Sequence, residues 1–223
     1  MNLKIVYFDF PFWRAEVGRI ALHIGNIEFE DVRIDREEFS RVREFGCLDD
    51  GTLIPFRQLP CLNIDGKSIC QTGGIARFCG KLGGLYPKED AIKAASIDQV
   101  IDMATDLNVL LGPSGIEKNK DKKRIMREEL VQGPLKRKTG FLEELLITSE
   151  HDWFVGSTMT VADISIWRLM GWLSSGMIDH IPTTFLSSFP RLKKLCRKVS
   201  QEDKVREWMH MTYPKNYTLG YFD

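Results

Sequence analysis

The apolar positions change period along the chain, and each change marks an element. Residues 3–8, Leu-Lys-Ile-Val-Tyr-Phe, are branched and aromatic and predict a strand. The loop Asp9-Phe10-Pro11-Phe12-Trp13 follows. Val17, Ile20, Ala21 and Ile24 fall at i, i+3, i+4 and i+7, so a helix runs from about Arg14 to Ile24 and stops at Gly25-Asn26. Phe29 to Ile34 reads as a second strand, Glu37 to Phe45 as a short polar helix or turn, and 46–57 as irregular. Leu59 to Ile64, the turn pair Asp65-Gly66 and Lys67 to Cys70 predict a hairpin. Gln71-Thr72-Gly73-Gly74 opens a helix through Ile75, Phe78 and Leu82, and Gly83-Gly84 ends it. A helix between strands demands a parallel crossover, whereas Asp65-Gly66 forces an antiparallel pair. Residues 1–86 therefore predict a small α/β unit with a mixed sheet.

Beyond Pro87 no strand pattern is found. Ile97, Val100, Ile101, Ala104, Leu107, Val109 and Leu111 mark a long helix stopped near Gly112-Pro113. Further helices are expected over about 117–132, over Leu135 to Leu146, after Thr160-Val161-Ala162-Asp163, and after Phe189-Pro190. The aromatic tail 213–223 is expected to lie over the body; Tyr213 and Tyr217 either close a pocket or pack the terminus.

Composition narrows the function classes. The chain has 223 residues with 43% hydrophobic and 28% charged positions, enough for a real core and too apolar for global disorder. That length allows one large domain or two modest ones, and the pattern change after Pro87 favours two. Basic and acidic residues balance at 31 each, so no standing positive field marks a nucleic-acid binder. Neither a bilayer-spanning apolar run nor a signal peptide is expected, which points to a cytoplasmic protein. The five cysteines, Cys47, Cys61, Cys70, Cys79 and Cys196, are odd in number and lack a Cys-x-x-Cys spacing. This argues against a disulfide framework or a zinc site, and reads as reduced thiols used as small apolar residues. The basic residues from Lys118 to Lys138 alternate with acids and read as a solvated helix face.

Three places can carry chemistry. Pro60 opens a strand although it cannot donate to a ladder. It is either a trans proline on an edge strand, or a cis proline that presents the Leu59 N–H and C=O to an extended peptide-like ligand. Gln71-Thr72 stands at a helix start, where N–H groups and the dipole favour a carboxylate, and Thr72 is also a candidate N-cap. Tyr7 ends the first strand near Arg14; it is either an anion donor or a half-buried sheet-edge tyrosine.

Taken together, these residues resemble a cytosolic glutathione transferase of the tyrosine type, sigma-like. The resemblance is densest over Pro55 to Gly66 and Gln71 to Phe78, with Val6-Tyr7-Phe8, Arg14-Ala15-Glu16 and Thr160-Val161-Ala162-Asp163 in the right order. It implies a thioredoxin-like domain at 1–86 with a mixed four-stranded sheet. An all-α domain at 87–223 would then form the second-substrate pocket and much of a homodimer interface. It implies glutathione as co-substrate and no metal. Tyr7 becomes the catalytic hydroxyl. Gln71 and Thr72 hold the γ-glutamyl carboxylate, Leu59 before Pro60 pairs with the cysteinyl unit, and Gln58 sits beside it. Arg14 adds positive potential, Phe39 and Arg43 take the glycine end, and Asp106 reaches the γ-glutamyl amine in the neighbouring subunit. Phe56 resembles an aromatic inserted into the partner, or is a loop phenylalanine packed within its own domain. Phe12, Trp13, Asn108, Leu111 and Gly112 are the candidates for a hydrophobic electrophile, with Leu111 equally readable as ordinary helix core.

The sequence departs from the family pattern at several of these positions. Phe39 stands where an indole is common, Thr72 replaces serine, Gly73-Gly74 loosens the helix start, and the first loop is longer and aromatic. The implied function is detoxifying conjugation of glutathione to hydrophobic electrophiles, with no membrane or nucleic-acid partner. The alternatives are a glutathione-dependent isomerase or peroxidase of the prostaglandin-isomerase kind, or a non-catalytic ligand-binding protein on the same fold.

Overall fold

The computed structural model describes residues 1–222. The chain divides into two compact units, Met1–Glu89 and Asp90–Asp223. In the first, β1 (Leu3–Phe8) is followed by α1 (Trp13–Ile24), β2 (Glu30–Ile34), α2 (Arg36–Phe45), β3 (Cys61–Ile64), β4 (Lys67–Cys70) and α3 (Thr72–Gly83). The sheet order is β2-β1-β3-β4, with β1 and β2 parallel and the other pairs antiparallel. This is the mixed sheet expected from the crossover and the hairpin, in the thioredoxin-like arrangement that the resemblance implies. β3 is shorter than the apolar pattern suggests. It starts at Cys61, so Gln58, Leu59 and Pro60 lie in the loop before it, and the Leu59–Pro60 peptide bond is cis.

Helices α1 and α3 lie side by side because small residues let their backbones meet. A Cβ on Gly83 would overlap the Ala21 carbonyl oxygen, and one on Gly18 would sit 3.0 Å from Ile75. On the other face of the sheet, Val6, Ile34, Val42, Ile54, Cys61 and Cys70 form a buried cluster, with Phe39 and Leu59 packed against it. α2 is closed at its N-terminus by a capping box between Asp35 and Glu38.

The second unit is helical: α4 (Ala91–Leu110), α5 (Gly112–Ile116), α6 (Lys120–Gln132), α7 (Pro134–Ile147), α8 (Val161–Ser174), a 3-10 turn (Thr183–Ser188), α9 (Pro190–Gln201) and α10 (Asp203–Thr212). α4 ends at Leu110, just before Gly112-Pro113, as the sequence suggests. Proline lacks only a donor that a first helical turn leaves unused, so Pro113 also sits in the first turn of a new helix, α5. α10 was not foreseen; its apolar anchors, Val205 and Trp208, are too few for a clear period. No helix among the described residues is long and apolar enough to cross a membrane.

Two side chains tie this unit together over long sequence distances. Arg168 is fully buried in α8; it donates to the Leu219 carbonyl at 3.2 Å and to the Tyr217 hydroxyl at 2.8 Å. Its guanidinium also lies over the rings of Trp167, Tyr213 and Tyr217. The two tail tyrosines therefore pack the terminus onto the helices. Glu143 of α7 accepts from the Arg191 N–H at 2.8 Å and the Leu192 N–H at 2.9 Å, capping the start of α9 from outside that helix. Glu143→Ala strands two donors at the start of α9, one buried and one part-buried. It is expected to lower stability by about 2 kcal/mol, read as a fall of roughly 6 °C in a thermal melt; an unchanged melting temperature would show that the cap contributes nothing.

Candidate functional site

Tyr7 lies on β1, opposite Arg33 of β2. The residue is 5% exposed. Burial pushes its phenol up to about 12, against the pull of the Arg14 and Arg19 cations. Tyr7 therefore stays a protonated donor through the physiological range, as a hydrogen bond to a thiolate requires. Arg14, in the first turn of α1, is only part-buried; its guanidinium stacks 5.3 Å from the Trp13 ring centroid and is felt electrostatically by Tyr7.

A charged network supports this tyrosine, and sequence reasoning did not single it out. The Arg19 guanidinium lies 5.9 Å from the Tyr7 ring centroid. It pairs with Glu16 at 3.0 Å and Asp31 at 2.8 Å, and the Arg19 and Glu16 side chains have no exposed surface. Asp31 also accepts from Arg33, which reaches Asp9 at 2.6 Å. The path from Glu16 to Asp9 links α1, β2 and the loop after β1, so the Tyr7 ring sits in a fixed electrostatic frame. The available signal was the i, i+3 spacing of Glu16 and Arg19 on an otherwise apolar helix face.

The second part of the site is the start of α3. Thr72 was a candidate N-cap, but the structure makes Gln71 the cap residue and Thr72 the first helical residue. Gln71 has φ 78° and ψ 122°, a conformation that costs a non-glycine residue energy and persists where surrounding structure enforces it. Gln71 is exposed, whereas Thr72 is 2% exposed and its Oγ1 is buried with no hydrogen-bond partner. A buried hydroxyl left unpaired beside the N–H groups of a helix start suits a carboxylate acceptor.

A third part is a cavity of about 760 Å³ lined by Phe8, Phe10, Phe39 and Arg43 among others. Phe39 packs edge-on against Phe8 at 5.0 Å, so it fills space where an indole would also donate. Arg43 is exposed on α2 and offers a cation at that cavity. Gln58 is exposed, and the Leu59 side chain is turned to the core. That leaves the Leu59 main chain, rather than its side chain, as the group a ligand could use.

The apolar candidates are less uniform. Phe12 is 9% exposed and stacks on Phe10. Trp13 has no exposed surface and Leu111 is 3% exposed, so both are core residues here, with little to offer a ligand. In the second unit Asn108 is half-buried and Gly112 exposed. Asp106 is also exposed and pairs with Lys138 at 2.6 Å. No group of metal-ligating side chains occurs among the described residues.

Comparison with known proteins fits this fold. The family model for the glutathione S-transferase N-terminal domain matches residues 3–80, and that for the C-terminal domain matches residues 106–211. Glutathione S-transferase 1 of Ascaris suum is 30% identical, over 92% of this chain and 94% of its own. The hematopoietic prostaglandin D synthase of Mus musculus is 27% identical, over 93% of this chain and 95% of its own. The crystal structure of the glutathione S-transferase from Ascaris lumbricoides superposes with a TM-score of 0.77 at 26% identity, covering 97% of this chain and 100% of that one. The chain belongs to the glutathione S-transferase family, an enzyme family that uses glutathione as co-substrate.

Proposed function

We propose that this chain is a tyrosine-type, sigma-like glutathione transferase that activates the glutathione thiol with the Tyr7 hydroxyl for attack on hydrophobic electrophiles. The observation that carries the reading is Thr72 Oγ1, buried and unpaired at a strained helix start. In this reading Thr72 and Gln71 hold the γ-glutamyl carboxylate, the Leu59 backbone ahead of Pro60 pairs with the cysteinyl unit, and Gln58 lies alongside. Arg43, with Phe39 as an apolar wall, takes the glycine carboxylate. That geometry delivers the thiol toward Tyr7 and Arg14.

A thiol with a reference pKa near 8.5 is only a few per cent ionised at neutral pH. A donor aimed at its anionic form lowers that pKa, and two units correspond to about 2.7 kcal/mol. Tyr7 supplies the donor without losing its own proton, and Arg14 adds a positive charge. The thiolate then attacks an electrophilic carbon, with Phe10 and Phe12 as apolar neighbours. Exposed Asp106, now paired with Lys138, is assigned to the γ-glutamyl amine of a partner subunit in a cytoplasmic homodimer. Phe56, 59% exposed, is assigned to the partner contact.

Thr72→Val tests the site with two readouts of opposite sign. Removing an unpaired buried hydroxyl is expected to leave the free protein as stable or about 1 kcal/mol more so. Losing a hydrogen bond to a carboxylate is expected to weaken glutathione binding by roughly 10-fold or more. Calorimetric binding that is unchanged in this variant removes Thr72 from the site.

A second reading has a specific support, the likeness to the hematopoietic prostaglandin D synthase of Mus musculus. The same thiolate can serve glutathione-dependent isomerisation. An assay for prostaglandin D synthesis beside one for aryl-halide conjugation separates the two readings.

A further inference from the structure

We propose that Cys61 and Cys70 form a redox-active dithiol that hydrogen peroxide closes to a cross-strand disulfide, loosening the glutathione-holding loop beside it. The last clause rests on the function proposed above; the chemistry of the pair does not.

The placement follows from the hairpin. The two-residue turn Asp65-Gly66 has φ 47° and 86°, and the register pairs Ile64 with Lys67, Asn63 with Ser68, Leu62 with Ile69 and Cys61 with Cys70. Such a turn makes Ile64–Lys67 a hydrogen-bonded pair, and alternation makes Asn63–Ser68 and Cys61–Cys70 non-hydrogen-bonded pairs. Side chains are nearest at those positions, and Asn63 Nδ2 indeed donates to Ser68 Oγ at 3.0 Å. Cα atoms at such a pair lie about 4.5 Å apart, inside the roughly 4.4–6.8 Å that a disulfide spans. Both thiols are reduced, and each acts most strongly on the other's ionisation.

The surroundings make the two sulfurs unequal. Cys61 Sγ donates to the Leu53 carbonyl at 3.7 Å. The neighbouring Cys61 thiol pulls the Cys70 thiol below its usual value, whereas Cys61, beside Cys70 and buried, is pushed up. Cys70 is thus the nucleophile and Cys61 the proton holder. Cys70 is 8% exposed and Cys61 has no exposed surface, which admits a small oxidant and hinders a bulky one.

The electrons balance with one peroxide. The Cys70 thiolate attacks a peroxide oxygen, an S–O bond forms, and the O–O bond breaks. Hydroxide leaves, takes up the proton released on Cys70 ionisation and becomes water. The Cys61 sulfur then attacks the Cys70 sulfur, losing its own proton to the departing sulfenic oxygen, which leaves as a second water. Two thiols are oxidised to one disulfide and the peroxide is reduced to two waters.

Closure also removes a contact to the preceding loop, because a disulfide has no proton for the Leu53 carbonyl. Leu53 lies on the segment that leads to Gln58 and Leu59, and Cys70 directly precedes Gln71 and Thr72. The pair therefore joins both arms of the proposed glutathione site, and oxidation weakens glutathione binding.

The test is a peroxide titration of the whole protein near pH 7, followed by alkylation of the unfolded chain and intact mass. The expected result is the simultaneous loss of two alkylation sites, a cross-linked Cys61–Cys70 peptide in a non-reducing digest, and recovery with a reductant. Cys70→Ser and Cys61→Ser are expected to abolish the cross-link, and Cys47→Ser to leave it. Sulfinic acid at Cys70 without a cross-link in the wild-type protein, where folding of a variant is not at issue, overturns the dithiol. Glutathione binding measured calorimetrically is expected to fall several-fold on oxidation and to return on reduction. Equal affinity in the two forms overturns the coupling. Absence of glutathione binding in both forms overturns the proposed function, while cross-link formation still upholds the dithiol.

Discussion

Tyr7→Phe is expected to cut turnover of glutathione conjugation by about 10- to 100-fold while leaving the glutathione KM nearly unchanged. The range is the worth of one hydrogen bond to a charged group, about 1.5–3 kcal/mol, converted to a rate. The variant keeps the ring, so the contact with Arg19 and the packing against Phe8 persist. Only the donor to the thiolate is lost. The pH–rate profile should therefore move upward by roughly one to two units, since the thiol must ionise without that hydrogen bond. Stopped-flow conjugation of an aromatic chloride between pH 6 and 9 reads both quantities. A profile and a turnover equal to the wild type would falsify the role of Tyr7 and leave Arg14 as the group that stabilises the thiolate.

Asp163→Ala is expected to be the most destabilising single change in the second unit. Asp163 is fully buried at the start of α8. Its carboxylate accepts from the Thr160 N–H at 2.7 Å, the Thr160 hydroxyl at 2.8 Å and the Phe154 N–H at 2.9 Å. Alanine would leave two backbone donors buried and unpaired, at about 1–3 kcal/mol each. The loss should total at least about 3 kcal/mol, seen as a melting temperature lower by roughly 10 °C or as failure to accumulate folded protein. Asp163→Asn keeps an acceptor oxygen and should fall between the two.

The same residue predicts a pH dependence. Burial pushes the Asp163 carboxyl up to about 6, against its three donors. The folded protein then binds this proton more tightly than the unfolded chain does. The resulting stabilisation is complete below about pH 4, the ordinary carboxyl value, and is lost as pH rises through 6. Relative to Asp163→Asn, which cannot titrate, the wild type should gain stability as pH falls from 6 to 4. Paired thermal melts across that interval check the sign.

Much of this architecture is legible in local pattern. Val17, Ile20, Ala21 and Ile24 could face only one core, and Asp65-Gly66 left the hairpin one register. Thr160 to Asp163 marked the start of α8, where a capping box three residues apart has both ends of its hydrogen bonds local. The pattern was less decisive where a rule has two outcomes. Gly112-Pro113 marked the stop after Leu110, but a proline also opens helices, and α5 begins there. Thr72 read as a cap, yet the neighbouring Gln71 took the unusual torsion and moved the cap back by one position. Trp13 read as a ligand contact and Leu111 as either a ligand contact or ordinary helix core, and both are buried.

The sequence by itself determined the element order of the first unit, its mixed sheet, the helical character of the second unit and the identities of Tyr7, Gln71 and Thr72 as candidates. These depend on periodicity, turn chemistry and motif spacing, all of which act over a few residues. Only the tertiary structure decided that Arg19 lies over the Tyr7 ring, that Thr72 Oγ1 is buried without a partner, and that Glu143 caps a helix 48 residues away. It also decided that the Cys61 thiol meets the Leu53 carbonyl on the loop before β3. Burial and electrostatic coupling depend on which segments meet in space, and no local pattern encodes that meeting. The balanced charge count concealed a buried Glu16–Arg19–Asp31 network for the same reason: composition sums over the chain, whereas fields are set by distance and dielectric.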